Sequence, residues 1–134
     1  MSTLLVRNAH VLVTMDENRR EISGGGFFAC DGFIEQVGPS DELPTTADEI
    51  VDATDMLVLP GLINTHHHLY QTLTRAVPGA QDAPLFGWLR TLYPIWARLT
   101  PDDVDLATRT GLLELAHSGC TTVFDHQYLW PNGS

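Results

Sequence analysis

Cysteine is scarce in this chain: only Cys30 and Cys120 occur among 134 residues. Two thiols are too few for a disulfide scaffold, and a bridge between them would need an oxidising compartment. Long apolar runs are missing too. No stretch approaches the ~18 uninterrupted apolar residues of a membrane span. The opening Met-Ser-Thr-Leu-Leu-Val-Arg-Asn lacks the basic region and long apolar core of a secretory signal. Positive charge is sparse: 7 Lys and Arg stand against 17 Asp and Glu, a formal charge of −10. An acidic surface repels phosphate backbones and anionic lipid, so neither nucleic acid nor a membrane is an expected partner. A cytoplasmic, reduced protein is the expectation, and internal repeats and low-complexity tracts are absent.

What is present is a folded-protein composition, 43% hydrophobic, with two kinds of local pattern. Residues 3–14 read as two short strands broken near Asn8. Phe27-Phe28-Ala29-Cys30 and Phe33-Ile34-Glu35-Gln36-Val37 flank Asp31-Gly32, a pair suited to the positive φ angles of a tight hairpin turn. Gly24-Gly25-Gly26 reads as a flexible entry to that hairpin, and 39–49 as a polar surface loop. After Asp55 the character changes. Met56-Leu57-Val58-Leu59 reads as a short buried strand stopped by Pro60-Gly61, and Leu62-Ile63-Asn64-Thr65-His66 as another strand.

Prolines 78, 84 and 94 interrupt the next stretch, where helical pieces are expected around 85–92 and 95–99. The best helix follows. Thr100 is its cap, Pro101 its first residue and Asp103 the partner in a capping box. Val104, Ala107, Gly111, Leu112, Leu115 and Ala116 recur at helical spacing, and Gly119 is a natural stop. Cys120-Thr121-Thr122-Val123-Phe124 is then a strand with Asp125-His126 at its end. Strand, helical region, strand is the repeating unit of a parallel α/β fold.

Four of the six histidines sit at the two strand ends: His66, His67, His68 and His126. Side chains alternate along a strand, so His66 and His68 share a face and can converge on one metal ion. Neutral imidazole suits zinc and similar ions. A lone His-x-His is equally compatible with a solvated loop. Its place at the C-terminal end of an apolar strand, where parallel α/β barrels build active sites, favours the metal.

Leu59-Pro60-Gly61-Leu62-Ile63-Asn64-Thr65-His66-His67-His68-Leu69 closely resembles the Pro-Gly-φ-φ-(Asp/Asn)-x-His-x-His segment of the amidohydrolase superfamily. Ser118-Gly119-Cys120-Thr121-Thr122 resembles the turn into that family's second barrel strand, and the Asp31-Gly32 hairpin and Val51-Asp52-Ala53 precede the motif at the expected distance. Within the superfamily the chain resembles the cytosine-deaminase and chlorohydrolase-like branch. His66 to Arg75, Pro84-Leu85-Phe86-x-Trp88-Leu89 and Leu92-Tyr93-Pro94-Ile95-Trp96 are similar to the 8-oxoguanine deaminases, with guanine deaminases as more distant relatives.

The resemblance implies an α/β fold. Residues 1–55 would be the N-terminal part of a small composite β-sandwich, and 56–134 the first β/α units of a (β/α)8 TIM-like barrel. It implies a zinc-dependent aminohydrolase acting on C–N bonds of cyclic amidines, with 8-oxoguanine as the leading substrate. Guanine, a pterin or an s-triazine, the last by deamination or dechlorination, are the alternatives. One divalent ion, zinc before ferrous iron, would be held by His66 and His68. Gln71 occupies the position at which such enzymes contact the purine, and His126 is a second substrate-binding candidate. Tyr128 and Trp130 are expected to border the same cavity. Trp88, Tyr93 and Trp96 are expected to pack, and Arg75 to form a salt bridge or meet a substrate oxygen.

Family members place the third histidine ligand, the acid/base groups and a ligating aspartate on later strands, so the catalytic residues are expected beyond 134. The 134 residues alone are expected to be inactive and poorly folded, and the whole enzyme to be a homo-oligomer. A two-strand wedge of such a barrel would expose parallel strand edges and apolar surface. A non-catalytic metal-binding protein that kept only this portion is the reading of a different class.

Overall fold

The computed structural model describes residues 1–131 and divides into two compact units, one of residues 1–60 and one that begins at Gly61. Residues 132–134, which the sequence reading assigns to the barrel portion, lie outside the described residues. The first unit is a mixed sheet. Strand β1 (Thr3–Val13) pairs antiparallel with β2 (Glu21–Cys30), and β2 pairs antiparallel with β3 (Phe33–Pro39). Strands β4 (Glu49–Asp52) and β5 (Leu57–Val58) lie parallel to β1 along its other edge. Val6, Ala9, Leu12 and Ala53 form the core, with Ile22, Phe27, Val37 and Val58 packed on it.

The Asp31-Gly32 hairpin forms as its residues dictate. Asp31 at φ 48° and Gly32 at φ 85° supply the two positive angles of the turn. Asn8 does not break β1 into two strands. It adopts φ 61° at a bulge between Val6 and Ala9, and its N–H donates to Ser40 Oγ at 2.7 Å. Gly24-Gly25-Gly26 is no flexible entry. It lies within β2, and a Cβ on Gly26 would stand 2.2 Å from the Val6 carbonyl oxygen. Glycine is required there by the close approach of β1, an interaction with no local sequence signature. The segment around Leu57 is likewise not buried. Met56, Leu57 and Leu59 are exposed in and beside the edge strand β5, and this segment contributes only Val58 to the core. The break between the compact units falls at Pro60/Gly61, and β5 hydrogen-bonds to β1 within the first.

In the second unit β6 (Leu62–His67) pairs parallel with β7 (Cys120–Asp125). Between them run 3₁₀ turns at Leu69–Thr74 and Pro78–Ala80, then helices α1 (Leu85–Trp96) and α2 (Pro101–His117). Pro94 sits in the last turn of α1 without ending it, so one helix replaces the two expected pieces. Leu92 and Trp96, on either side of Pro94, are anchored in the core with Tyr70 and Ala80, and this packing offsets the ~3 kcal/mol a helical proline costs. The Trp96 indole N–H donates to Thr74 Oγ1 at 3.0 Å, tying α1 to the first 3₁₀ turn.

Helix α2 starts with the expected capping box: Thr100 Oγ1 accepts the Asp103 N–H, and the Asp103 carboxylate accepts the Thr100 N–H. Gly119 at φ 80° follows its end. Its buried stripe is narrower than the apolar pattern, since Ala107 and Gly111 are buried but Leu112 and Ala116 are exposed. The two strands are also largely open: Leu62, Ile63 and Phe124 are 56%, 69% and 62% exposed. Parallel strands are normally covered on both faces. At the start of β6, a Cβ on Gly61 would lie 2.1 Å from Thr121 Oγ1, so the Pro-Gly pair lets the strands close. No described helix is long and apolar enough to cross a membrane.

Gly26→Ala should therefore destabilise the first unit by about 1–3 kcal/mol, read by urea denaturation. Gly38→Ala, whose Cβ would meet only Glu42 Oε2 at 3.7 Å, should stay within about 0.5 kcal/mol of the parent. Equal losses in the two variants would contradict the close-approach assignment.

Candidate metal centre

The three histidines leave β6 through an irregular step. Asn64 opposes Val123 and His67 opposes Asp125, so β6 carries one more residue than β7 across this interval. The Asn64 side-chain oxygen accepts the His66 N–H at 3.0 Å and holds that bulge. His68 already lies outside the strand, at φ −133° and ψ 83°. The result is convergence: His66 Nε2 and His68 Nε2 are 3.2 Å apart. His67 is set toward α2, its Cε1 3.7 Å from where a Cβ on Gly111 would be, and its Nδ1 is buried without a partner.

The state of His68 follows from its other nitrogen. Nδ1 lies 2.9 Å from the His126 carbonyl oxygen, which can only accept, so Nδ1 carries the proton and Nε2 is left with a lone pair. The short Nε2–Nε2 contact is then an N–H of His66 donating to that lone pair. His126 itself packs beside the pair, with its ring centroid 4.7 Å from that of His66 and 5.4 Å from that of His68. It is thus near both rings, and its backbone carbonyl, not its imidazole, makes the ordering contact. No group of three His, Cys, Asp or Glu arranged to hold a metal occurs among the described residues.

Gln71 stands at the edge of a cavity of about 190 Å³ shared with His66, His67, His68, Thr72 and Arg75. Its Nε2 donates to Tyr70 Oη at 2.9 Å and Tyr128 Oη at 3.3 Å, and the two tyrosine rings pack edge-on with centroids 5.3 Å apart. The amide thus turns its NH₂ toward the two hydroxyls, both of which accept from it. Gln71 Oε1 is therefore the atom left to accept from a ligand. Burial, followed by donation to Tyr128, raises the Tyr70 phenol well above its usual range.

The remaining predicted residues separate by role. Arg75 makes the salt bridge, 2.6 Å to Glu114. Trp96 is core, with Trp88 and Tyr93 edge-on to it. Trp130 lies apart from the histidines, in a cleft of about 370 Å³ with Pro101, Val104, Asp125 and Leu129. Cys120 and Cys30 are free thiols. Sequence reasoning missed Tyr70, whose burial nothing in its neighbours announces, and Asp125, whose Oδ1 accepts the Leu69 N–H at 2.9 Å. Asp125 could have been suspected from its place at the same strand end as His126.

Residues 57–129 match the model of the amidohydrolase family. The chain belongs to that family. Over 99% of its length it is 46% identical to an 8-oxoguanine deaminase of Pseudomonas aeruginosa, covering 29% of that protein. It is 37% identical over 96% of its length to an isoxanthopterin deaminase from an unknown prokaryotic organism, covering 27% of it. Among solved structures it resembles an atrazine chlorohydrolase from Arthrobacter aurescens complexed with zinc, with TM-score 0.85, 30% identity, and coverage of 91% of this chain and 28% of that one. The chain thus spans under a third of the length of these amidohydrolase relatives.

A raised phenol pKa means that the fold retains a proton the unfolded chain loses near pH 10.0. Stability from Tyr70 is fully present below that pH and falls as pH climbs above it. Urea midpoints between pH 8 and 10.5 should drop more steeply for the parent than for Tyr70→Phe; parallel slopes would refute the assignment.

Proposed function

We propose that this chain supplies the first two metal ligands and a substrate contact of an aminohydrolase that deaminates an oxidised purine such as 8-oxoguanine. The observation that carries the proposal is the His66–His68 pair. Two imidazole nitrogens at 2.0–2.1 Å from a tetrahedral ion lie about 3.3 Å apart, and these stand 3.2 Å apart. The His126 carbonyl fixes His68 in the tautomer a ligand needs, the usual outer-shell arrangement of metal-bound histidine. The proton of His66 Nε2 sits where an ion would replace it. The donor set fits zinc, with ferrous iron as the alternative. When bound, such an ion lowers the pKa of a water and polarises the centre under attack.

The chain's own residues would do the rest locally. Gln71 Oε1, held outward by Tyr70 and Tyr128, would accept an N–H of the heterocycle and orient it over the histidine pair. A ring bearing a lactam or amidine N–H satisfies that requirement. His126, against His66, would line the same space. In this reading the unit 61–134 is the start of a (β/α)8 barrel, β6 and β7 its first two strands, and 1–60 part of the flanking sandwich. A catalytic zinc site normally has three protein ligands and needs a separate acid/base. Both are assigned to the portion of the relatives' length that this chain does not span. The likeness to the isoxanthopterin and atrazine enzymes makes a pterin or a triazine the second substrate reading.

A chimera tests this, with the chain replacing the matched segment of the Pseudomonas aeruginosa enzyme. It should contain zinc and release ammonia from 8-oxoguanine. The His66→Ala, His68→Ala double variant should lose both, and Gln71→Ala should lower kcat/KM about tenfold, the loss of one hydrogen bond. A folded, zinc-loaded chimera that turned over isoxanthopterin but not 8-oxoguanine would overturn the substrate reading.

A further inference from the structure

We propose that Asp125 is a positioning residue that sets the His68 imidazole through the Leu69 amide; the inference rests on reading His66 and His68 as a metal pair. Three hydrogen bonds join the end of β6 to the end of β7 on both sides of His68. The His126 N–H donates to the His67 carbonyl at 2.8 Å, His68 Nδ1 donates to the His126 carbonyl at 2.9 Å, and the Leu69 N–H donates to Asp125 Oδ1 at 2.9 Å. The peptide units before and after His68 are thereby fixed, and so is the ring.

Among these contacts only the one from Asp125 depends on a side chain of β7. Leu69 is the first residue of the 3₁₀ turn, where the N–H has no acceptor within the turn, and the His68 side chain does not cap it. Leu69 is also buried, so an unmade bond there cannot be replaced freely by water. Without the carboxylate, the amide recovers a partner most easily by rotation of the 68–69 peptide. That rotation swings the His68 ring off the His126 carbonyl and moves Gln71, two residues further along the same turn. Asp125 needs to be an acceptor for this role and does not need to be charged.

The test uses the chimera described above with ¹⁵N-labelled histidine, comparing parent, Asp125→Ala, Asp125→Asn and His66→Ala, His68→Ala. Zinc affinity is read by chelator competition and the His68 tautomer by ring-nitrogen NMR. Asp125→Ala should weaken zinc binding 10–100-fold and convert His68 from a single Nδ1–H tautomer to a mixture. Asp125→Asn, whose amide oxygen still accepts the Leu69 N–H, should restore both. A parental His68 signal in Asp125→Ala overturns the inference, as does an Asp125→Asn variant with a mixed tautomer. If Asp125→Ala does not fold, the Asn variant alone decides. Parent and double-histidine variant with equal zinc affinity would sink the metal reading, while the tautomer readout would still judge the placement of His68.

Discussion

The second unit depends on the parallel pairing of β6 with β7. Parallel strands exchange evenly spaced bonds along their length, but here the ladder continues beyond the strands into the histidine turn, through the His67 carbonyl, the His126 carbonyl and the Asp125 carboxylate. Every feature of the candidate centre is downstream of that continuation. It selects the tautomer of His68, aims its Nε2 at His66, and starts the 3₁₀ turn that delivers Tyr70 inward and Gln71 to the cavity.

A second constraint is the close approach of α2 to that turn. Gly111 is buried against Leu69 and Thr72, and a Cβ there would lie 2.8 Å from each. The apolar spacing of α2 made Gly111 look like an ordinary member of a hydrophobic face. Its role is instead to have no side chain, so that helix and turn can meet. The same logic governs Gly61 under Thr121 and Gly26 under Val6. In each case glycine marks a contact between segments distant in sequence, which periodicity does not register.

The aromatic cluster ties the core of the second unit to the Gln71 amide. Trp96 packs edge-on against Tyr70, and Tyr70 packs against Tyr128. The two hydroxyls then accept from the Gln71 Nε2, which leaves Oε1 on the side away from them. A glutamine is indifferent by itself, offering both donors and an acceptor. Its polarity toward a ligand is imposed by its neighbours.

Local chemistry was readable in advance wherever a short run of residues carries its own instructions. The Asp31-Gly32 turn, the Thr100–Asp103 capping box, the Gly119 stop and the strand–helix–strand order all follow from adjacent residues, whose conformational preferences act within a few bonds. The His66 and His68 pairing was legible for the same reason, although a bulge at Asn64 and a turn at His68, not plain strand alternation, bring the rings together. Tertiary structure decided the rest. It continued β1 through Asn8, buried Gly25 and Gly26, gave Leu57 and Val58 to the first unit, and carried α1 through Pro94. It also recruited Asp125 and the His126 carbonyl to hold His68. These outcomes turn on hydrogen bonds and contacts between residues tens of positions apart, energies that no local pattern contains.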